Sequence, residues 1–426
     1  MIRFNTLKLS LLLLLACPLF VKGQDRGVFT LDYCQKQAMT NFPSAKDKAL
    51  LQESTVLRVK NVNTANLPQS SLNGQATYQS DAIKINIPVT GHPLSMEQAK
   101  DQYKLTLDVN QLLYDGGTVR YQRILEEASL AADLQQVDVD LYKIKEQVNN
   151  VYFLLLILQE NNTLLNTSLN EIKEREKVVA SAVKNGTLTP SDLDVLTAGR
   201  LQTEQQIAEI EITRKSAINI LSLLMSQSVP ETAAFELPAV DIADNVQNNR
   251  PEYKLFDLQQ QRIDASRELT GTVLKPKVFA FAQAGYGRPG INMLSNEFNP
   301  YGIIGASLKW TFWDWHKNGR EKQVIDIQKK MIDNKRETFD RNLNVDLQNR
   351  KAAVQKLDEA LKRDIEIVNL RSKITKASAS RLENGTITST DYLIELNAET
   401  IAKINFESHK IQLIQAKVNY LTAKGL

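Results

Sequence analysis

Site chemistry needs nucleophiles, bases or metal ligands within reach of one another, and this 426-residue chain is poor in them. Its cysteines are Cys17 and Cys34 and its histidines His92, His316 and His409, all widely spaced, so neither a thiolate zinc site nor a Cys/His cluster can form locally. His316 beside Trp315 is a lone histidine without ligand partners and reads as structural. Gly285-Tyr286-Gly287-Arg288-Pro289-Gly290 satisfies the G-x-G-x-x-G pattern, but a dinucleotide loop must open a helix. Pro289 followed by Asn292, Asn296, Asn299 and Pro300 does not, so the stretch reads as an exposed loop between two strands. No nucleophile, base and orienter set is visible and no phosphate loop, which points away from an enzyme and calls for no cofactor and no metal. The carboxylates that draw notice follow a repeated turn: Asp192 and Asp194 after Asn185-Gly186-Thr187-Leu188, and Asp391 after Asn384-Gly385-Thr386-Ile387. Acids in such places serve helix N-termini as dipole partners, or form a ring that attracts cations if copies assemble around an axis.

The turns belong to a larger duplication. Asn185 to Leu193 recurs 199 positions later as Asn384 to Tyr392, and Asp115 meets Asp314 at the same offset. Upstream the offset is 208, bringing Pro43 onto Pro251, Pro68 onto Pro276 and Tyr78 onto Tyr286, so the first copy has the longer loop between Tyr78 and Tyr103. Halves of about 200 residues are far longer than a solenoid repeat, so one fold is duplicated. The expected units are 24–228 and 229–426.

Each unit reads as short helix, two strands, long helix and return helix. No proline interrupts Thr118 to Lys184, and Leu130, Leu134, Val137, Leu141, Ile144, Val148, Val151, Leu155 and Leu158 alternate steps of four and three. That period marks a coiled-coil seam on a rod of about 100 Å. The matching stretch 317–383 is more polar, with a weaker seam through Val354, Leu357, Leu361, Ile365 and Val368. Gly186 and Gly385 suit the left-handed residue that ends a helix, and Ser191 or Thr390 can cap the return helices, 191–228 and 390–424. A further helix is expected from about Asn245 to Leu274.

The segments 69–79, 103–113, 277–287 and 302–313 alternate apolar and polar residues with period two, as in Leu105, Leu107 and Val109 against Thr106, Asp108 and Asn110. About 10 residues of such alternation suit a transmembrane strand, apolar to lipid and polar to a lumen, and equally a soluble sheet with one face on a core. Context favours the former. Four strands are too few for a membrane barrel, whose smallest form has about eight, and open edges in lipid are costly, so several chains must share one barrel. Trp310, Phe312, Trp313 and Trp315, at a strand end, fit a lipid-water girdle; a core cluster is the other reading.

The first 23 residues read as an export signal, with Arg3 and Lys8 before an apolar run from Leu9 to Val21. Cleavage near Gly23 is one reading; the other, from Leu14-Leu15-Ala16-Cys17, is cleavage before Cys17 and its lipidation, against which the apolar Pro18 to Val21 weighs. Without the leader's Arg3, Lys8 and Lys22, the 52 basic residues balance the 49 acidic ones, so no basic field for nucleic acid exists.

In this arrangement the chain resembles the TolC family of outer-membrane efflux proteins over essentially its whole mature length. The matching pieces are Phe29-Thr30-Leu31-Asp32 with Pro43, Leu113-Tyr114-Asp115-Gly116-Gly117 at a strand-to-helix junction, and the two Asn-Gly-Thr turns with Asp192 and Asp391. The resemblance implies a mostly α fold with a small transmembrane β part. Three chains would give four strands each to one barrel in outer-membrane lipid, and their long helices would form an α-barrel tunnel through the periplasm. It implies the exit duct of a tripartite efflux or type I secretion system, passing small molecules or proteins. The partners implied are a periplasmic adaptor and an inner-membrane transporter. By the same transfer, Asn185 to Leu188 and Asn384 to Ile387 are adaptor-docking tips, and Asp192, Asp194 and Asp391 line the entrance. Two departures stand out: Ile387 occupies the place of a basic latch residue, and the second junction reads Phe312-Trp313-Asp314-Trp315-His316-Lys317-Asn318-Gly319 where the family favours two adjacent glycines.

Two other classes fit parts of the chain. A periplasmic adaptor has a coiled-coil hairpin but should carry one copy and no lipid-facing strands, and a soluble coiled-coil scaffold leaves the strands unexplained.

Overall fold

The computed structural model describes residues 28–87, 91, 94–242, 247–293 and 295–426. The expected leader and Cys17 lie outside the described residues. In chain order the elements are β1 (Val28–Phe29), α1 (Leu31–Asn41), α2 (Asp47–Asn63), β2 (Gln69–Tyr78), β3 (Lys84–Ile87), β4 (Leu94–Glu97), β5 (Asp101–Tyr114), α3 (Thr118–Lys184), α4 (Pro190–Met225), β6 (Ala234–Phe235), α5 (Pro251–Gly271), β7 (Lys277–Arg288), β8 (Asn299–Lys309), α6 (Lys317–Glu383) and α7 (Ser389–Ala423).

The two long helices occupy the proline-free stretches and have 67 residues each. They differ in what they bury. On α3, 18 side chains are buried, including seam residues Leu141, Ile144, Val148, Leu155 and Leu158, whereas on α6 seven are buried and none belongs to its weaker seam. The main core gathers Val148, Tyr152, Phe153 and Leu155 of α3 with Cys34 of α1, Leu221 and Met225 of α4 and Ile411 of α7. Burying a side chain such as Phe153 stabilises by about 2–3 kcal/mol. The Tyr152 hydroxyl lies 2.8 Å from the Phe29 carbonyl oxygen and 2.6 Å from that of Glu236, so it pins the small parallel pair β1 and β6 to this core. Burial pushes the Cys34 thiol up to about 12, leaving it a small apolar core residue. Near the far end of the long helices a second core forms from Ile172, Val179, Leu196, Leu382, Tyr392 and Leu396.

The four long strands make one antiparallel sheet in the order β2-β5-β7-β8, so strands of both halves share it and β2 and β8 are its edges. The register places Leu72 opposite Leu107, Val109 opposite Ala282 and Ala282 opposite Ile304, one continuous apolar face. That face is bare: Leu72, Leu308 and Ile304 are 70%, 64% and 87% exposed, which is not the packing of a sheet on its own chain's core. On the other face Asp108 accepts from Asn73, Thr106 and Gln283, tying three strands together. Phe281, out of place in a polar row, stands opposite Gly305, where a Cβ would come 2.7 Å from its ring. Tyr301 covers Gly285 in the same way, so the glycines make room for aromatic rings lying along the sheet.

Several expectations are corrected. Gly285 to Arg288 are strand residues of β7 and not loop. The helix expected from Asn245 begins at Pro251, which supplies the fixed φ of a first helical residue and needs no N–H partner there. The return helices are capped by Thr189 and Thr388, ahead of the expected Ser191 and Thr390. The longer loop of the first half folds into the β3–β4 hairpin, which Asn296 clamps by donating to Glu97 O at 2.8 Å and accepting from Ala99 N at 2.7 Å.

Candidate functional site

Two places combine unusual backbone with exposed side chains: the helix tips and the strand-to-helix junctions. At the first tip α3 ends on Asn185, and Gly186 turns left-handed with φ +76°. Its N–H bonds Val183 O at 3.0 Å, and Thr187 N–H bonds Ala182 O at 2.9 Å, the paired closure that satisfies the last carbonyls of a helix. The second tip repeats it, with Gly385 at φ +66° and Thr386 N–H on Arg381 O at 2.9 Å. Asn185, Gly186 and Thr187 are exposed, as are Asn384, Gly385 and Thr386, while Leu188 and Ile387 lean on the tip core. The tips therefore present backbone and short polar side chains on an apolar foundation.

Asp192 and Asp391 are the third residues of capping boxes. Asp192 accepts from Thr189 N at 3.1 Å and from its hydroxyl at 2.7 Å, and Asp391 from Thr388 at 3.0 and 2.8 Å. Hydrogen bonds from Thr189 and Thr388, ahead of the other influences, hold both carboxyls below the ordinary carboxylate range. Asp192 reaches further, its second oxygen accepting from Ser389 N of the other tip at 3.3 Å. Asp194 is exposed and makes no such bond among the described residues.

The two tips of one chain are stapled by residues that sequence reasoning did not single out. Arg175 of α3 pairs with Glu383 of α6, and its guanidinium sits 5.4 Å from the centre of the Tyr392 ring on α7. Gly199 of α4 lies against Leu393 of α7, where a Cβ would come 2.7 Å from the leucine side chain. A glycine inside a helix costs about 1 kcal/mol relative to alanine, so Gly199 was the available signal of a close approach. Nothing local pointed to Arg175.

At the first junction Gly116 and Gly117 have φ +68° and +89°, and Asp115 accepts from Gly117 N at 2.7 Å and Val119 N at 2.6 Å to start α3. The second junction keeps the same backbone without glycine. Trp315 and His316, 199 positions on, have φ +56° and +61°, and Asp314 accepts from Asn318 N at 2.7 Å. The aromatic group here is exposed, with Trp310 at 56%, Phe312 at 78%, Trp313 at 57% and Trp315 at 77%. The cluster is therefore not buried within one chain. Trp310 donates its ring N–H to Leu274 O at 3.1 Å, and the His316 ring packs 5.6 Å from Trp313. Among the described residues no group of three or more His, Cys, Asp or Glu is placed to hold a metal, and no helix is long and apolar enough to cross a membrane.

No protein-family model matches the chain, and no curated protein matches it in sequence. Solved structures do match in shape. The outer membrane protein VceC of Vibrio cholerae superposes with a TM-score of 0.66 at 15% identity, over 93% of this chain and 96% of that one. The CmeC outer membrane channel of Campylobacter jejuni gives 0.65 at 14%, over 93% and 85%. The open state of the MtrE outer membrane channel of Neisseria gonorrhoeae gives 0.66 at 16%, over 93% and 88%. At such identities the likeness is one of fold, and it spans more than nine-tenths of this chain: the protein has the TolC-like fold of the outer-membrane channels.

Proposed function

We infer that the protein is an outer-membrane channel, the exit duct of a tripartite efflux or type I secretion assembly, working as a homotrimer. The observation that carries this reading is the open sheet. Among the described residues its apolar face has no covering layer and both edge strands are unpaired, and its strands run into helices of 67 residues. Unpaired backbone groups in lipid cost several kcal/mol each, so the edges must close on further copies, with β8 of one chain beside β2 of the next. Three such sheets give a barrel of twelve strands, and the apolar face then meets outer-membrane lipid.

The remaining assignments follow from this placement. Trp310, Phe312, Trp313 and Trp315 sit at the lipid-water interface, where amphipathic rings are favoured. The turns Asn185 to Leu188 and Asn384 to Ile387 lie at the periplasmic end and dock an adaptor protein, which joins the duct to an inner-membrane transporter. Of the acids at that end, Asp194 is free to face the entrance, whereas Asp192 and Asp391 are first of all caps. The repeat units are 24–228 and 229–426.

Fractionation tests the reading. The protein should sediment with outer membranes and migrate on an unheated detergent gel as a trimer that heating dissociates. A soluble periplasmic monomer would overturn it and favour the scaffold.

A further inference from the structure

The register of the sheet sorts its charged side chains by face. On the polar face, in phase with Asn73, Thr106 and Gln283, the charged residues are Lys104 and Asp108 of β5, Lys277 of β7 and Lys309 of β8. Asp108 is the one acid there among the described strand residues, and its carboxylate is engaged by Asn73, Thr106 and Gln283 at 2.6, 2.9 and 2.5 Å. Lys104 rests with its ammonium 5.7 Å from the centre of the Tyr301 ring. Lys277 and Lys309 have no such partner among the described residues.

These two lysines stand directly opposite one another, the first residue of β7 against the last of β8. Like charges in that relation repel, and neither lysine has an ion pair or hydrogen bond among the described residues. A second copy does not cure the imbalance. The strand that would lie beside β8 in a closed barrel is β2, whose polar-face residues Gln69, Ser71, Asn73, Gln75 and Thr77 include no acid. The pair lies at the end of the sheet nearest the long helices, with Lys309 exposed and Lys277 half-buried.

We propose that Lys277 and Lys309 form a cationic collar at the neck between tunnel and barrel, a transient site for the carboxylate or phosphate groups of passing solutes. The proposal rests on the channel reading above, which turns the polar face into a lumen wall. Three copies of the pair would ring one passage, and low-dielectric walls focus such a field and raise the local concentration of counter-ions. Lysine suits a pass-through site: its compact, hydrated ammonium on a flexible stem lacks the rigid fork by which arginine holds an anion in both of its hydrogen bonds.

The test uses the full mature chain in planar bilayers of zwitterionic lipid under a potassium chloride gradient. The wild type should prefer anions and be blocked by inorganic triphosphate. Lys277→Gln with Lys309→Gln should lower the anion-to-cation permeability ratio by about threefold or more and abolish the block. The change should fade near 1 M salt, where the Debye length is about 3 Å. Lys277→Arg with Lys309→Arg should keep both properties. Unaltered selectivity and block in the Gln variant would overturn the collar. So would an effect that appears only when anionic lipid is added, because the lysines would then be meeting lipid headgroups. A wild type that forms no channel would remove the channel reading and the collar with it, whereas a channel indifferent to both lysines would remove the collar alone.

Discussion

Asp192 accepts a hydrogen bond from the backbone N–H of Ser389, 3.3 Å away and 197 residues further along the chain. The same carboxylate closes the capping box of its own helix through Thr189, so one side chain both starts α4 and ties the first tip to the second. With the Arg175–Glu383 pair and the Gly199–Leu393 contact, it makes the two tips of a chain one unit.

The pH dependence of the tips follows from this. The Asp192 and Asp391 carboxyls are held low in the folded protein, so their contribution is fully present above the unfolded value, about 3.9, and is lost as pH falls through the lower folded value. Protection factors of the amides of 187–189, 191–192 and 386–391, corrected for the intrinsic pH dependence of exchange, should be steady from about pH 5 to 8 and fall in acid. Thr189→Ala and Thr388→Ala should each cost about 1 kcal/mol of local protection. Tip protection unchanged in these variants would show that the boxes do not hold the helix starts.

Gly186→Val and Gly385→Val test the tips as docking elements. A Cβ meets no atom of the described residues within 4 Å at either position, so the penalty is conformational, about 1–2 kcal/mol for a side chain at left-handed φ. Oligomer and outer-membrane fractionation should be unaffected while export and adaptor cross-linking fall. Normal export from the double variant would remove the tips from the mechanism.

His316→Gly should stabilise the second junction. His316 holds φ +61°, where the first half has glycine, so glycine should relieve about 1 kcal/mol of strain. Thermal unfolding of the purified oligomer reads the difference. A lower transition would mean that the ring contact with Trp313 outweighs the strain.

Much of the fold was legible because the signals were periodic. Alternation in Leu105 to Val109 fixes which side chains share a face, and the absence of proline from 118 to 184 permits one unbroken helix. Other features depend on what a local pattern does not contain. Phe281 reads as a defect in a polar row until the register sets it opposite Gly305. Thr189 and Ser191 both suit a cap, and the choice falls on Thr189 because Asp192, three residues on, can return the bond to its N–H. Arg175 and Glu383 are 208 residues apart and meet through the packing of two hairpins. Trp315 and His316 hide their conformation, since bulky residues seldom adopt it, and the offset of 199 from Gly116 and Gly117 was the available hint.

With β2 and β8 as open edges, the sheet of one chain is proposed to be part of a barrel that other copies complete. Native mass measurement of the protein extracted in mild detergent tests this directly. A single species of three chains is expected, persisting on dilution and dissociating only when the strands unfold. A stable, folded monomer with its sheet intact would contradict it.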